Sequence, residues 1–110
     1  MSLRRTAFQK AADALHRAGC EAELLALRTL QAADLETVEG TDSALVSFRA
    51  LSDRVRARRV EADDLRVIAE QSSAPFHLRG YLRVRVGMLD ECERAINHVG
   101  RNLLSKGVAA

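Results

Sequence analysis

The sequence predicts an all-α protein of three long helices: an antiparallel hairpin over about 43–71 and 75–104, packed with an N-terminal helix over about 3–33. Three observations predict it. Ala44, Phe48, Leu51, Val55, Ala62, Leu65 and Ala69 recur at steps of three and four, with Arg58 keeping the step. Leu78, Leu82, Val86, Leu89, Cys92, Ile96, Val99 and Leu103 do the same, so each segment is a helix with one apolar seam. The single proline, Pro75, falls between the two segments. The apolar content of 47% includes only four aromatic residues, which favours helices packed through Ala, Leu and Val over a β-sandwich.

The N-terminal helix follows a third heptad pattern, with Phe8, Leu15, Ala22 and Thr29 at one seam position and Ala11, Ala18, Leu25 and Ala32 at the other. Leu24, Leu27 and Leu30 widen its apolar face in the second half, which implies two neighbours there. Gly19 lies inside this pattern at a cost of about 1 kcal/mol relative to alanine, and permits a kink without requiring one.

Residues 34–41 form the connection, with a short turn of helix ending at Gly40 and a cap at Asp42 or Ser43 for the next helix. Arg54, Arg56, Arg58 and Arg59 followed by Glu61, Asp63 and Asp64 would suit a helix end and a new start, but the heptad phase carries through and predicts continuity. Ser72, Ser73 and Pro75 make the turn, since proline is tolerated at the start of a helix. Residues 76–88 also alternate apolar and polar as a strand would; with no second strand-like run to pair with, the helix is preferred. A frayed tail is expected from Ser105 to Ala110.

At 110 residues the chain is read as one domain, large enough for a real core yet with a high surface fraction, and a homodimer is expected. A net charge of +2 gives little steering toward nucleic acid or anionic lipid. Cys20 and Cys92 have no paired spacing and read as reduced thiols of a cytoplasmic protein. Arg4 and Arg5 are not followed by the apolar stretch of an export signal, and no run approaches the roughly twenty apolar residues of a membrane span.

If residue 71 lies opposite residue 76, opposed positions in the hairpin sum to about 147, as a short helix-helix connection requires. Phe48 then meets Val99, Leu51 meets Ile96, Val55 meets Cys92 and Leu65 meets Leu82. Arg56, Arg58 and Arg59 fall opposite Asp90, Glu91 and Glu93, and Arg83 and Arg85 opposite Asp63 and Asp64. Such pairs select register and orientation more than they stabilise. They also argue against a nucleic-acid-binding protein built on Arg54 to Arg59 with Arg79, Arg83 and Arg85, which would need those guanidinium groups free for phosphates.

Second apolar lines run along Val46, Ala50, Ala57, Val60 and Val67, and along Tyr81, Val84 and Met88. A three-helix bundle would bury one of these lines as core, but the narrow alanine seam of the N-terminal helix is not expected to cover both, and an uncovered line of more than a few hundred Å² usually marks an interaction site. The expected partner-binding residues are therefore Tyr81, Val84, Met88, Val60 and Val67, with Arg58 and Arg85 setting orientation. Arg58 keeps a seam position, its stem along apolar surface and its head at the edge.

No chemistry competes with this. His16 and Cys20 have a helical metal-ligand spacing, but both are expected on the outer face with no third ligand, so no metal or cofactor is expected. Cys92 reads as a small buried hydrophobe. No nucleophile arrangement or glycine-rich phosphate loop is present, so the chain is read as a non-enzyme. Phe76-His77-Leu78-Arg79-Gly80 resembles the His-x-Leu-Lys-Gly motif of helical histidine phosphotransfer domains. Phe76, however, stands in the phosphorylated histidine's place, and His77 lies about 100° round the helix from it.

In size and helix content the chain is similar to bacterial anti-activators that sequester transcription factors and to secretion chaperones, a likeness of class with no motif behind it. The expected function is a regulator that covers an apolar surface on another protein, blocking a transcription factor's dimerisation or DNA contact. A secretion chaperone or adaptor is the alternative within that class.

Overall fold

The computed structural model describes the backbone of residues 3–109 and the side chains of residues 6–104. Four helices and no strand occur among the described residues: α1 (Leu3–Arg17), α2 (Glu21–Gln31), α3 (Val38–Gln71) and α4 (Phe76–Ala109). The all-α class and the α3–α4 hairpin are as the seam spacing predicts, and α3 is continuous through the Arg54 to Asp64 charge block.

The N-terminal helix over 3–33 is corrected to two. Gly19 adopts φ +72°, a left-handed conformation that costs a side-chain-bearing residue about 1–2 kcal/mol. The Gly19 N–H bonds to the His16 carbonyl at 3.0 Å and the Cys20 N–H to Leu15 at 2.9 Å, the paired bonds that close a helix end on a glycine. The chain turns here and the heptad phase is lost. Beyond the elbow Cys20, Leu24, Leu27 and Leu30 are buried, whereas Ala22, Leu25, Thr29 and Ala32 of the expected seam are exposed. Leu24, Leu27 and Leu30 therefore mark a new face and not a widened one. Gly19→Ala should lower stability by about 1–2 kcal/mol through backbone strain alone, since a Cβ there meets no atom within 4 Å; a thermal melt checks it.

Three boundaries also move. Thr37 caps α3 five residues before the expected start, its Oγ1 accepting the Gly40 N–H at 2.9 Å. The Asp34 carboxylate accepts the Glu36 N–H at 2.9 Å, so the connection is a tight side-chain-bonded turn and Gly40 lies inside α3. α4 begins at Phe76, the Pro75 carbonyl accepting from Leu78 and Arg79, and runs through the expected tail to Ala109 because no proline interrupts its ladder; Ala110 lies outside the described residues.

α1 packs against α4 and α2 against α3, with no α1–α3 or α2–α4 packing among the described residues. Arg17 at the end of α1 reaches Glu91, and Glu23 at the start of α2 reaches Arg58, so the elbow sits about halfway along the long hairpin. The short helices thus cover only the half remote from the Ser72 to Pro75 turn. Phe8, Leu15, Leu27, Leu30, Leu51, Val55, Leu89, Cys92, Ile96 and Val99 fill one contiguous core in that half. Ala69 and Leu82 are buried but stand outside that cluster, because beyond the elbow only two helices remain.

The outcome is a four-helix base with a two-helix arm protruding from it. Its dimensions are 54 × 25 × 21 Å, and its radius of gyration of 16.1 Å exceeds the roughly 13 Å of a compact domain of this length. No helix is long and apolar enough to cross a membrane among the described residues.

Candidate protein-binding groove on the arm

The site is built by the elbow. Where α1 and α2 stop, the groove between α3 and α4 continues uncovered, lined by Arg58, Glu61, Ala62 and Leu65 from α3 and Tyr81, Leu82, Arg85 and Leu89 from α4, with a volume of about 200 Å³. The steps from Arg58 to Ala62 to Leu65, and from Leu82 to Arg85 to Leu89, are the three- and four-residue spacings that put side chains on one helical face. Leu65 is 48% exposed and Tyr81 61%, although Leu65 holds a seam position. A seam residue this open lacks the helix that would cover it. Ile68 follows Leu65 by one turn, and Leu78 and Val84 flank Tyr81 by one turn each; all three are also exposed.

Two arginines stand where the groove meets the elbow. Arg58 donates from Nε to Glu23 Oε1 at 2.8 Å, and Arg85 donates from Nη1 to the Ala18 carbonyl. Arg58 thus ties the start of α2 to α3, and Arg85 ties the α1–α2 turn to α4. Glu23 is the one buried charged residue among those described, and its Oε2 has no hydrogen-bond partner there. Burial pushes its carboxyl pKa upward, but the Arg58 hydrogen bond, the Glu23 backbone amide and the charges of Arg58 and Arg54 outweigh it, and the net displacement is downward. Arg58 moves correspondingly upward, chiefly through the same hydrogen bond.

The expected site residues divide. Arg58, Arg85 and Tyr81 share the groove, and Val84 lies one turn from Tyr81. Met88 is half-buried and packed against the core. Val60 and Val67 are two and nine positions from Arg58, about 200° and 180° round α3, so they lie on the back of the arm. Leu65 and Ile68 are absent from the expected binding residues, and the seam pattern assigns Leu65 to the interior. Its exposure follows from where α2 ends, which the heptad pattern does not carry.

The charge pairing is partly as expected. Arg56 and Arg59 both reach Glu93 across the hairpin, Arg56 at 3.4 Å. Arg58 turns to Glu23 on α2 instead. Arg83 meets Glu70 at 2.9 Å and not Asp63 or Asp64; the Arg83 hydrogen bond, with Arg66 beside it, holds the Glu70 carboxyl below its usual range. Asp63 is taken by Arg66 along α3, Asp90 by Arg94 along α4, and Glu91 by Arg17 of α1. Arg79 lies over the Phe76 ring at 6.0 Å. Of the arginines that would have served phosphate binding, Arg56, Arg58, Arg59 and Arg83 meet carboxylates, Arg85 a backbone carbonyl and Arg79 a ring.

Cys20 is corrected from the outer face to the interior. Cys92 is buried as expected, and burial pushes its thiol up to about 11, which favours the protonated thiol at neutral pH. His16 is exposed, and no group of three or more potential metal ligands occurs among the described residues.

Comparison with protein-family models, characterised proteins and solved structures gives no match, so geometry alone bears on function.

Proposed function

We propose that the protein is a small helical regulator that acts by protein contact, taking an apolar helical surface of a partner onto the arm. Within that class the reading favoured is an anti-activator that blocks a transcription factor's dimerisation or DNA contact. The observation that carries it is the uncovered groove beyond the elbow, where Leu65, Ile68, Leu78, Tyr81 and Val84 present large apolar side chains on a segment only two helices thick. A patch of a few hundred Å² on so thin a support is what a docking helix buries. Tyr81 supplies rigid contact area with a polar tip, and Arg58, Arg85 and Glu61 give the groove a charged elbow end that orients an incoming helix.

The experiment is quantitative capture from the native host with wild-type protein, a groove variant (Leu65→Asp, Tyr81→Asp) and a back-face variant (Val60→Asp). Recovery of the partner is expected to fall at least tenfold for the groove variant and to stay unchanged for Val60→Asp. For a captured transcription factor, its DNA binding should fall as wild-type protein is added. Equal recovery by all three proteins would show that the groove is not the binding face.

A further inference from the structure

We infer that in the free protein the groove is occupied by the arm of a second copy, the two chains packing face to face about a two-fold axis. This shares with the proposed function the premise that the face is an interface, and goes beyond it by naming the occupant.

The first argument is continuity. On the base half of the molecule, a helical hairpin (α1–α2) lies across α3 and α4 and completes a four-helix layer pair. On the arm half that second layer is missing. A helical hairpin of the same width and of matching length is available from another molecule, because the arm that carries the groove is itself such a hairpin. Its residues 60–72 span about 20 Å. The partner's arm then ends against the Gly19 elbow, and the layer runs on from α1–α2 of one chain to α3–α4 of the other.

The second argument is self-complementarity. Two arms pointing the same way would drive their α1–α2 hairpins into each other, which leaves the antiparallel arrangement, α3 on its counterpart and α4 on its counterpart. A two-fold interface brings each residue set against itself with order reversed. The exposed apolar positions have that reversible spacing: Leu65 and Ile68 exchange places on α3, while Leu78 and Val84 exchange about Tyr81 on α4. Leu65 and Tyr81 line the same groove, so both helices place the axis at one level along the arm. Tyr81 then meets Tyr81 of the other copy at the axis.

The third argument is area. Five large apolar side chains per chain, 40–63% exposed, bring the buried total for two chains, with their polar rim, to the roughly 1,000 Å² or more that a specific interface requires.

Sedimentation equilibrium on the purified full chain tests this. Wild-type protein is expected at twice 12.1 kDa at micromolar concentration, with Tyr81→Asp and Leu65→Asp monomeric at the same helical circular dichroism and Val60→Asp still dimeric. Tyr81→Cys should form a disulfide-linked dimer under mild oxidation by oxidised glutathione, because position 81 lies on the axis; Val60→Cys should not. A wild-type monomer at 100 μM, a dimer that survives both aspartate variants, or equal cross-linking at 60 and 81 would each overturn the inference. The two readings fail separately. A monomeric wild type whose partner capture still depends on Leu65 and Tyr81 removes the dimer alone, and a dimer split by Tyr81→Asp with unchanged capture removes the partner reading alone.

Discussion

Arg58→Ala is expected to destabilise the fold by about 2–3 kcal/mol, more than an exposed ion pair would. The reason lies with the residue left behind. Glu23 is 4% exposed, and its second carboxylate oxygen already lacks a hydrogen-bond partner among the described residues, so losing Arg58 strands a charge in the core edge. The Arg58 side chain is itself 40% exposed, which places the loss below the full cost of breaking a completely buried pair. Glu23→Leu on the Arg58→Ala background should recover most of the stability, because an apolar side chain at that site needs no counter-ion. Denaturant unfolding of the two single variants and the double variant measures the coupling directly.

The same pair sets an acid sensitivity. The Glu23 carboxyl is held below its ordinary value in the folded state, so its ionised form is favoured by folding. The stability it adds is present above the unfolded carboxylate range, about pH 4.3, and is lost as pH falls below that value and through the folded pKa. Wild-type protein should therefore lose more stability between pH 5 and 3, on the order of the pH where carboxylates titrate, than the Glu23→Leu, Arg58→Ala double variant. Equal slopes would show that the pair does not control the acid limb.

Gly100→Val is expected to cost about 2–3 kcal/mol, even though valine has the better intrinsic helix propensity. Gly100 is buried and the Phe48 ring lies on its backbone; an added Cβ would fall inside the ring's contact distance, 2.7 Å from Cε1 and 2.9 Å from Cε2. The ring must move or α4 must shift outward. Phe48→Ala removes the obstacle, so Gly100→Val should cost much less in that background. Thermal melts of the four proteins check this, with a single-variant loss of roughly 8–15 °C expected for a domain of this size. Additive losses would mean that Phe48 does not rest on Gly100.

This contact also shows how far the sequence could be read. The seam of α3 and α4 and their register were legible: Phe48 was expected opposite Val99 and lies on Gly100, one residue away. Heptad spacing encodes direction and phase, and the short turn at Ser72 to Pro75 sets the level. The elbow was not legible as a break, because a glycine inside a periodic run is ordinarily tolerated. The torsion angle and the paired closing bonds show Gly19 to be a helix end. From that one residue follow the other differences. Cys20 turns inward, Glu23 is drawn to Arg58, the covering layer stops halfway, and Leu65 is left open. The apolar positions of the arm are readable from the sequence; which of them stay uncovered depends on the length of a helix in another part of the chain.

The order of the helices has a consequence for synthesis. Of the two long helices α1 packs only on α4, so Phe8, Ala11 and Leu15 do not gain that surface until α4, which follows α2 and α3 along the chain, has been made. α2 can settle on α3 much sooner. Folding should therefore run in two stages, with α1 closing onto α4 after α2 has settled on α3.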